Sequence, residues 1–363
     1  MHGIGSLDKN LLVCATVNAP DCRLFDVRKP PFALYGLYEP QSGPVFRRMP
    51  EDVAKRVSQG VYRLHGHTAG GRIRFSTNSP YIVLKCVMPC VHPMPHMPLS
   101  GSAGFDLYID APDGTESLYH RTFVPPIGMT DGYESKIEFC ESGTHYVTIN
   151  FPLYNAVTDV YIGIKEGATL GAGAPYRDCA PVVYYGSSIT QGGCASRPGN
   201  AYPAMVGRTL NLDHVNLGFS GNARGEDEMA HYIASLRMSA FVMDYDHNAP
   251  TAEHLRATHA KMFATVRAAQ PELPILLMSR PDHARSEQSA EYRRVVLDTF
   301  RDARARGERN ICFLDGESLF RGPFEDACTV DGTHPNDLGF AQMAKAVTAV
   351  LKRILRDGKM QKR

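Results

Sequence analysis

Short β-rich segments recur through the first half of the chain: Arg72–Phe75, Tyr81–Val87, Gly104–Ile109, Leu118–Phe123, Lys136–Cys140, Tyr146–Phe151 and Val160–Ile164. Clusters such as Ala69-Gly70-Gly71 and Asn78-Ser79-Pro80 punctuate them, and almost no apolar residues recur at helical spacing. This pattern predicts an all-β sandwich of the jelly-roll type. From Pro181 onward the pattern changes. Apolar strands at Pro181–Gly186, His214–Phe219, Ala240–Tyr245, Pro274–Ser279 and Asn310–Leu314 alternate with amphipathic helices, as in a parallel sheet covered on both faces.

The helix ends are readable. Pro203 suits a first turn, Thr251 caps a helix whose Leu255, Met262, Phe263 and Val266 share a face, and Ser286 caps another that stops at Gly307. Met343, Val347, Val350 and Ile354 line the last helix. The small-residue stretch Gly171-Ala172-Gly173-Ala174-Pro175 reads as the connector, dividing the chain into a β-sandwich over 1–174 and an α/β/α domain over 175–363.

A chain of 363 residues fits two domains, and 39 Lys+Arg against 38 Asp+Glu leave a net charge of +1. Without a basic patch or stripe, nucleic acid is not expected as a partner. Nine cysteines without regular spacing read as reduced thiols rather than a disulfide framework. The apolar stretch Leu11-Leu12-Val13-Cys14 lacks the basic and hydrophobic regions of a secretory leader, and no apolar run is long enough to span a membrane. The expectation is a cytoplasmic protein with no membrane partner. Its basic end, Lys359-Met360-Gln361-Lys362-Arg363, reads as a frayed tail.

Candidate chemistry lies at both ends of the second half. Gly186-Ser187-Ser188-Ile189-Thr190-Gln191-Gly192 follows its first strand, where a parallel sheet presents reactive groups. Asp331-Gly332-Thr333-His334 sits before the last helix, and a carboxylate three residues ahead of an imidazole can fix its tautomer. Ser188, His334 and Asp331 thereby form a candidate catalytic triad.

These residues resemble the SGNH (GDSL-type) hydrolases. Gly186-Ser187-Ser188-Ile189 is similar to the first block, with Ser188 as nucleophile. Asn216-Leu217-Gly218-Phe219-Ser220-Gly221 is similar to the second, Asp246-His247-Asn248 to the third, and Asp331 with His334 to the last. The resemblance implies a three-layer α/β/α, flavodoxin-like domain and an oxyanion hole made by Ser188, Gly221 and Asn248. Ser187 replaces the usual Asp of the first block; Asp246 and Ala249 replace the Gly and the final Asp of the third. Gly104-Phe105-Asp106-Leu107-Tyr108, Phe151-Pro152-Leu153-Tyr154-Asn155 and Cys194-Ala195-Ser196-Arg197-Pro198-Gly199 are similar to a bacterial subgroup with a β-sandwich ahead of the catalytic domain.

The activity so implied is hydrolysis of short acyl esters, acetyl groups on carbohydrates above all, through an acyl-enzyme and with neither metal nor organic cofactor. Its partners would be a small-molecule or oligosaccharide ester and, in a homo-oligomer, further copies of the chain. An acyltransferase acting on a sugar or natural-product hydroxyl, a lipid or thioester hydrolase, and a non-catalytic sugar-binding protein are the alternatives. Without Trp, a sugar platform on the sandwich would fall to Tyr and Phe.

Several residues carry two readings. Gly221 also suits a conformationally permissive loop, and Asn248 could cap the next helix. The segment from Cys86 to His96 has the residue types of a zinc site, but its prolines and spacing disfavour a metal there. His96-Met97-Pro98 reads either as a loop at the active-site mouth or as a plain crossover. Cys194 reads as a small buried residue with no base beside it in sequence. Arg197 and Arg224 either contact substrate or pair on the surface with Glu226 or Asp227, and Asp106 and Tyr108 read as residues that hold the sandwich.

Overall fold

The computed structural model describes Val13, residues 16–281 and residues 286–357. Val13 apart, the apolar stretch at 11–14 and the basic tail at 359–363 lie outside the described residues. In the first half the elements are β1 (Cys22–Asp26), β2 (Ala33–Tyr35), α1 (Glu51–Val57), α2 (Gln59–Leu64), β3 (Arg72–Thr77), β4 (Tyr81–Val87), α3 (Leu99–Ser102), β5 (Phe105–Asp110), β6 (Ser117–Phe123), β7 (Gly132–Glu138), β8 (His145–Asn150), β9 (Asp159–Lys165) and β10 (Leu170–Ala172). One antiparallel sheet runs β1-β9-β4-β7; the other runs β10-β3-β8-β5-β6, with β2 also on β3. Their facing sides enclose Ile73, Phe75, Ile82, Leu84, Phe105, Leu107, Val147, Ile149 and Ile162, all fully buried. The expected connector is partly strand, since Gly171 and Ala172 pair with Ser76 and Phe75.

The second sheet is buried on its other side too. Strand side chains alternate between faces, so Ile73 and Phe75 enter the sandwich core while Arg72 and Arg74 turn to the opposite face, where they are also buried. Asp106, Tyr108, Asp110, Thr148 and Asn150 share that polar face. It packs on the α/β half rather than on water: Arg72 pairs with Asp213, and Arg197 with Asp106 and the Tyr108 hydroxyl.

The second half contains β11 (Val182–Gly186), α4 (Ser188–Gln191), α5 (Tyr202–Leu210), β12 (His214–Gly218), α6 (Asp227–Ser235), β13 (Ala240–Asp244), α7 (Ala252–Ala269), β14 (Ile275–Met278), α8 (Glu287–Ala305), β15 (Ile311–Leu314) and α9 (Asp337–Asp357). The sheet is wholly parallel, in the order β12-β11-β13-β14-β15. That is the doubly wound, flavodoxin-like order, in which the strand order reverses between β11 and β13. On one face Val183 and Tyr185 pack with α6, α7 and α8; on the other, Val182 and Tyr184 pack with α5 and α9. Met49, Ala54 and Val61, on and beside α1 and α2, join the first of these cores. Among the described residues no helix is long and apolar enough to cross a membrane.

Candidate active site

Ser188 opens α4 at the carboxyl end of β11 and is 5% exposed. The turn before it admits no side chain at Gly186, where a Cβ would lie 2.0 Å from Thr190 Oγ1 and 2.4 Å from the Asp244 carbonyl. Ser187 caps α4, its Oγ accepting the Ile189 N–H at 3.1 Å. Ser and Asp are comparable caps, so Ser187 in place of the usual Asp leaves the helix start intact.

The three residues expected to form a triad come together across 146 positions of sequence. Ser188 Oγ lies 2.9 Å from His334 Nε2, and His334 Nδ1 lies 2.8 Å from Asp331 Oδ2. Asp331 Oδ1 also accepts the backbone N–H groups of Thr333, at 3.0 Å, and His334, at 2.7 Å. Burial pushes the Asp331 carboxyl up, but the His334 backbone and ring and the Thr333 N–H outweigh it and hold the group at about 2. An ionised carboxylate on Nδ1 places the proton there and leaves Nε2 to accept from the Ser188 hydroxyl.

Gly221 and Asn248 lie on the turns after β12 and β13. Gly221 has φ +68°, and a Cβ on it would meet nothing within 4 Å. The neighbouring N–H groups are taken, that of Ser220 by Gln191 Oε1 and those of Asn222 and Ala223 by the Phe219 carbonyl. The Gly221 N–H has no protein acceptor among the described residues. Asn248 gives one amide hydrogen to Phe219 O at 2.9 Å, which leaves its second donor for a ligand. It does not cap α7; Thr251 does, accepting the His254 N–H. Asp246, in place of the usual Gly, is buried and accepts the Arg280 N–H at 2.9 Å. Burial raises its carboxyl to about 6.

Contacts from the first half hold this centre in place, and sequence reasoning missed most of them. The Tyr154 hydroxyl donates to Ser188 O at 3.1 Å, and Gln191 Nε2 reaches Leu153 O at 3.0 Å and His67 Nδ1 at 3.2 Å. Arg48, 1% exposed, donates to the carbonyls of Asn216 at 3.0 Å, Gly218 at 2.6 Å and Leu64 at 2.8 Å. A lone Arg in a Pro-rich stretch gives no periodic signal. Only the quoted Phe151–Asn155 stretch pointed toward this contact.

Three further readings are corrected. Arg197 does not pair with Glu226 or Asp227 but with fully buried Asp106, because the polar face of the second sheet needs a cation against that carboxylate. Asp106 and Tyr108 therefore join the two halves rather than hold the sandwich alone. Cys194 is buried, as expected, yet not isolated, for the ligand atoms of His96, Cys194 and His334 all lie within 4.8 Å of one another. His96 lies in the loop between β4 and α3, which places that loop at the site. Arg224 is exposed; its N–H reaches Glu226 Oε2 at 3.2 Å and its guanidinium the Gly221 carbonyl at 3.3 Å. In the Cys86–His96 segment the Cys86 thiol faces the Tyr133 carbonyl, and exposed Cys90 pairs with His92. The thiol of Cys194 is raised to about 11, first by burial and then by Asp331, which keeps the free thiol protonated near neutral pH.

Residues 179–352 match the model of the GDSL-like lipase/acylhydrolase family, and residues 23–170 that of the N-terminus of SGNH-hydrolase-type esterases. The chain belongs to the SGNH (GDSL-type) hydrolases. It is an ester-hydrolysing enzyme of that family, with the β-sandwich domain ahead of the α/β/α hydrolase fold. Similar solved structures share both parts. A GDSL-like lipase from Bacteroides ovatus is 28% identical, with a TM-score of 0.82, over 94% of this SGNH hydrolase and 99% of that chain. A salicylyl-acyltransferase from a tetracycline biosynthetic pathway is 22% identical, with a TM-score of 0.74, over 92% and 99%. A family two carbohydrate esterase from Clostridium thermocellum, in complex with cellohexaose, is 14% identical, with a TM-score of 0.60, over 90% and 99%. No curated protein sequence matches the chain.

Proposed function

We propose that the enzyme is a serine esterase that removes acetyl groups from acylated carbohydrates, with the unbroken Ser188–His334–Asp331 hydrogen-bond chain as its catalytic triad. His334 Nε2 takes the Ser188 proton as Oγ attacks the ester carbonyl, and Asp331 stabilises the imidazolium that forms. The N–H groups of Ser188 and Gly221 and the Asn248 amide receive the oxyanion. The alcohol departs with the proton from His334, and water, activated by the same imidazole, hydrolyses the acyl-enzyme.

The carbohydrate substrate class rests on the carbohydrate esterases among the structural neighbours, and a nucleophile only 5% exposed suits a small acyl group. We divide the chain at 174/175, with all three triad residues in the second part. Acyl transfer to an acceptor hydroxyl is the second reading, favoured by the same burial of Ser188, since a shielded acyl-enzyme is slow to meet water.

Acetate release from p-nitrophenyl acetate and from a panel of acetylated oligosaccharides tests both readings. The expected outcome is release by the native enzyme and none above background by Ser188→Ala. Equal release by the two overturns the serine-esterase mechanism. Product that accumulates with added acceptor alcohol, at constant ester consumption, assigns transfer instead.

A further inference from the structure

The loop that brings His96 to the triad places a second chemistry on His334. We propose that His96, Cys194 and His334 form a binding site for a thiophilic divalent cation, Zn2+ being the best match, and that the bound ion switches the esterase off. Three segments far apart in sequence supply the donors: the loop between β4 and α3, the turn after α4, and the loop before α9. Their ligand atoms all lie within 4.8 Å of one another, and the rings of His96 and His334 stand 5.8 Å apart. Bond lengths of about 2.0–2.1 Å to nitrogen and about 2.3 Å to sulfur put tetrahedral ligand atoms roughly 3.3–3.7 Å apart. From the 4.8 Å limit, an approach of about 1 Å among the three donors therefore closes the shell. Two imidazoles and a thiolate are a donor set that zinc prefers over magnesium or calcium.

Two features go beyond the coincidence of donors. Cys194 is buried with φ +74°, a left-handed conformation that a residue with a Cβ adopts at a cost, and it places the thiol beside the two imidazoles. Asp331 already holds His334 Nδ1, the carboxylate–histidine arrangement that orients a metal-binding imidazole and raises its basicity. The nitrogen left for a cation is Nε2, the atom that accepts the Ser188 proton. The carboxylate that prepares His334 as a base thus equally prepares it as a ligand, and an ion on Nε2 occupies the lone pair that catalysis uses. On binding, the Cys194 S–H proton leaves to solvent as the metal–sulfur bond forms, with no change of oxidation state. A water or Ser188 Oγ completes the fourth position.

The test uses the full chain, stripped with EDTA. Zn2+ added to a p-nitrophenyl acetate assay should inhibit with a saturation of one ion per chain, reversed by chelator. His96→Ala and Cys194→Ser, each compared with its own metal-free rate, should raise the inhibitory concentration by about tenfold or more. Co2+ supplies a readout that needs no turnover: a thiolate-to-cobalt charge-transfer band in the native chain and in Ser188→Ala, absent in Cys194→Ser. Absence of that band at saturating Co2+ overturns the site, whatever the fate of the esterase reading and without reliance on any variant's folding. Equal zinc sensitivity of both variants and the native chain also overturns it.

Discussion

Asn248 gives one amide hydrogen to Phe219 O, and in the proposed mechanism the other meets the reacting oxygen. Asn248→Ala should lower kcat by about 100- to 1000-fold while leaving KM little changed, the signature of a donor used in the transition state. Steady-state kinetics on an acetyl ester check it. Asp244 makes a different prediction. It is buried, and Thr190 Oγ1 at 2.9 Å and the Tyr202 hydroxyl at 2.8 Å donate to it. Burial first, and Asp246 second, raise it to about 7 from a reference value of 3.8. Because the folded value lies above the unfolded one, the folded state holds the extra proton between them. The stability Asp244 contributes is full below about 4 and is lost as pH rises through about 7. Asp244→Asn removes that dependence, so its melting temperature relative to the native enzyme should improve between pH 5 and pH 8. A fixed difference across that range would refute the assignment.

At the scale of elements, regular strands were legible and short irregular pieces were not. Tyr81–Val87 emerges with the bounds its composition suggested, and the five parallel strands each lie within the segments expected of them. By contrast α1, α2 and α3 are of seven, six and four residues, too short to show a 3.6-residue period, and they sit among prolines. Strand β10 has three residues, two of them small, so it reads as linker. The polar face of β3, β5 and β8 was misleading for another reason. Alternation marks which residues share a face, but it cannot say that a polar face is covered by another part of the chain. The candidate triad was legible because Ser188 follows a strand and Asp331 lies three residues from His334. The supports from Arg48 and His67 were not, since neither residue stands at a strand end or in a motif, and for Tyr154 only the Phe151–Asn155 stretch gave a hint.

Across the whole molecule, the two halves are joined by buried charge. Arg197 reaches Asp106, which is fully buried and takes further hydrogen bonds from Asn150 and the Gly199 N–H, each at 2.8 Å. Removing the cation alone strands a carboxylate, so Arg197→Ala should cost about 3–5 kcal/mol in urea unfolding. Adding Asp106→Asn should recover part of that loss, and a strictly additive double variant would refute the coupling.

Arg48 carries a consequence of its own. Its guanidinium closes the carbonyls of Asn216 and Gly218 at the end of a strand in the opposite half, 168 and 170 positions away. A hydrolase of this plan transplanted without its leading segment would expose those carbonyls at the rim of its own catalytic cleft. The leading segment is thus no detachable cassette, because the hydrolase half borrows from it the donors that close its own backbone.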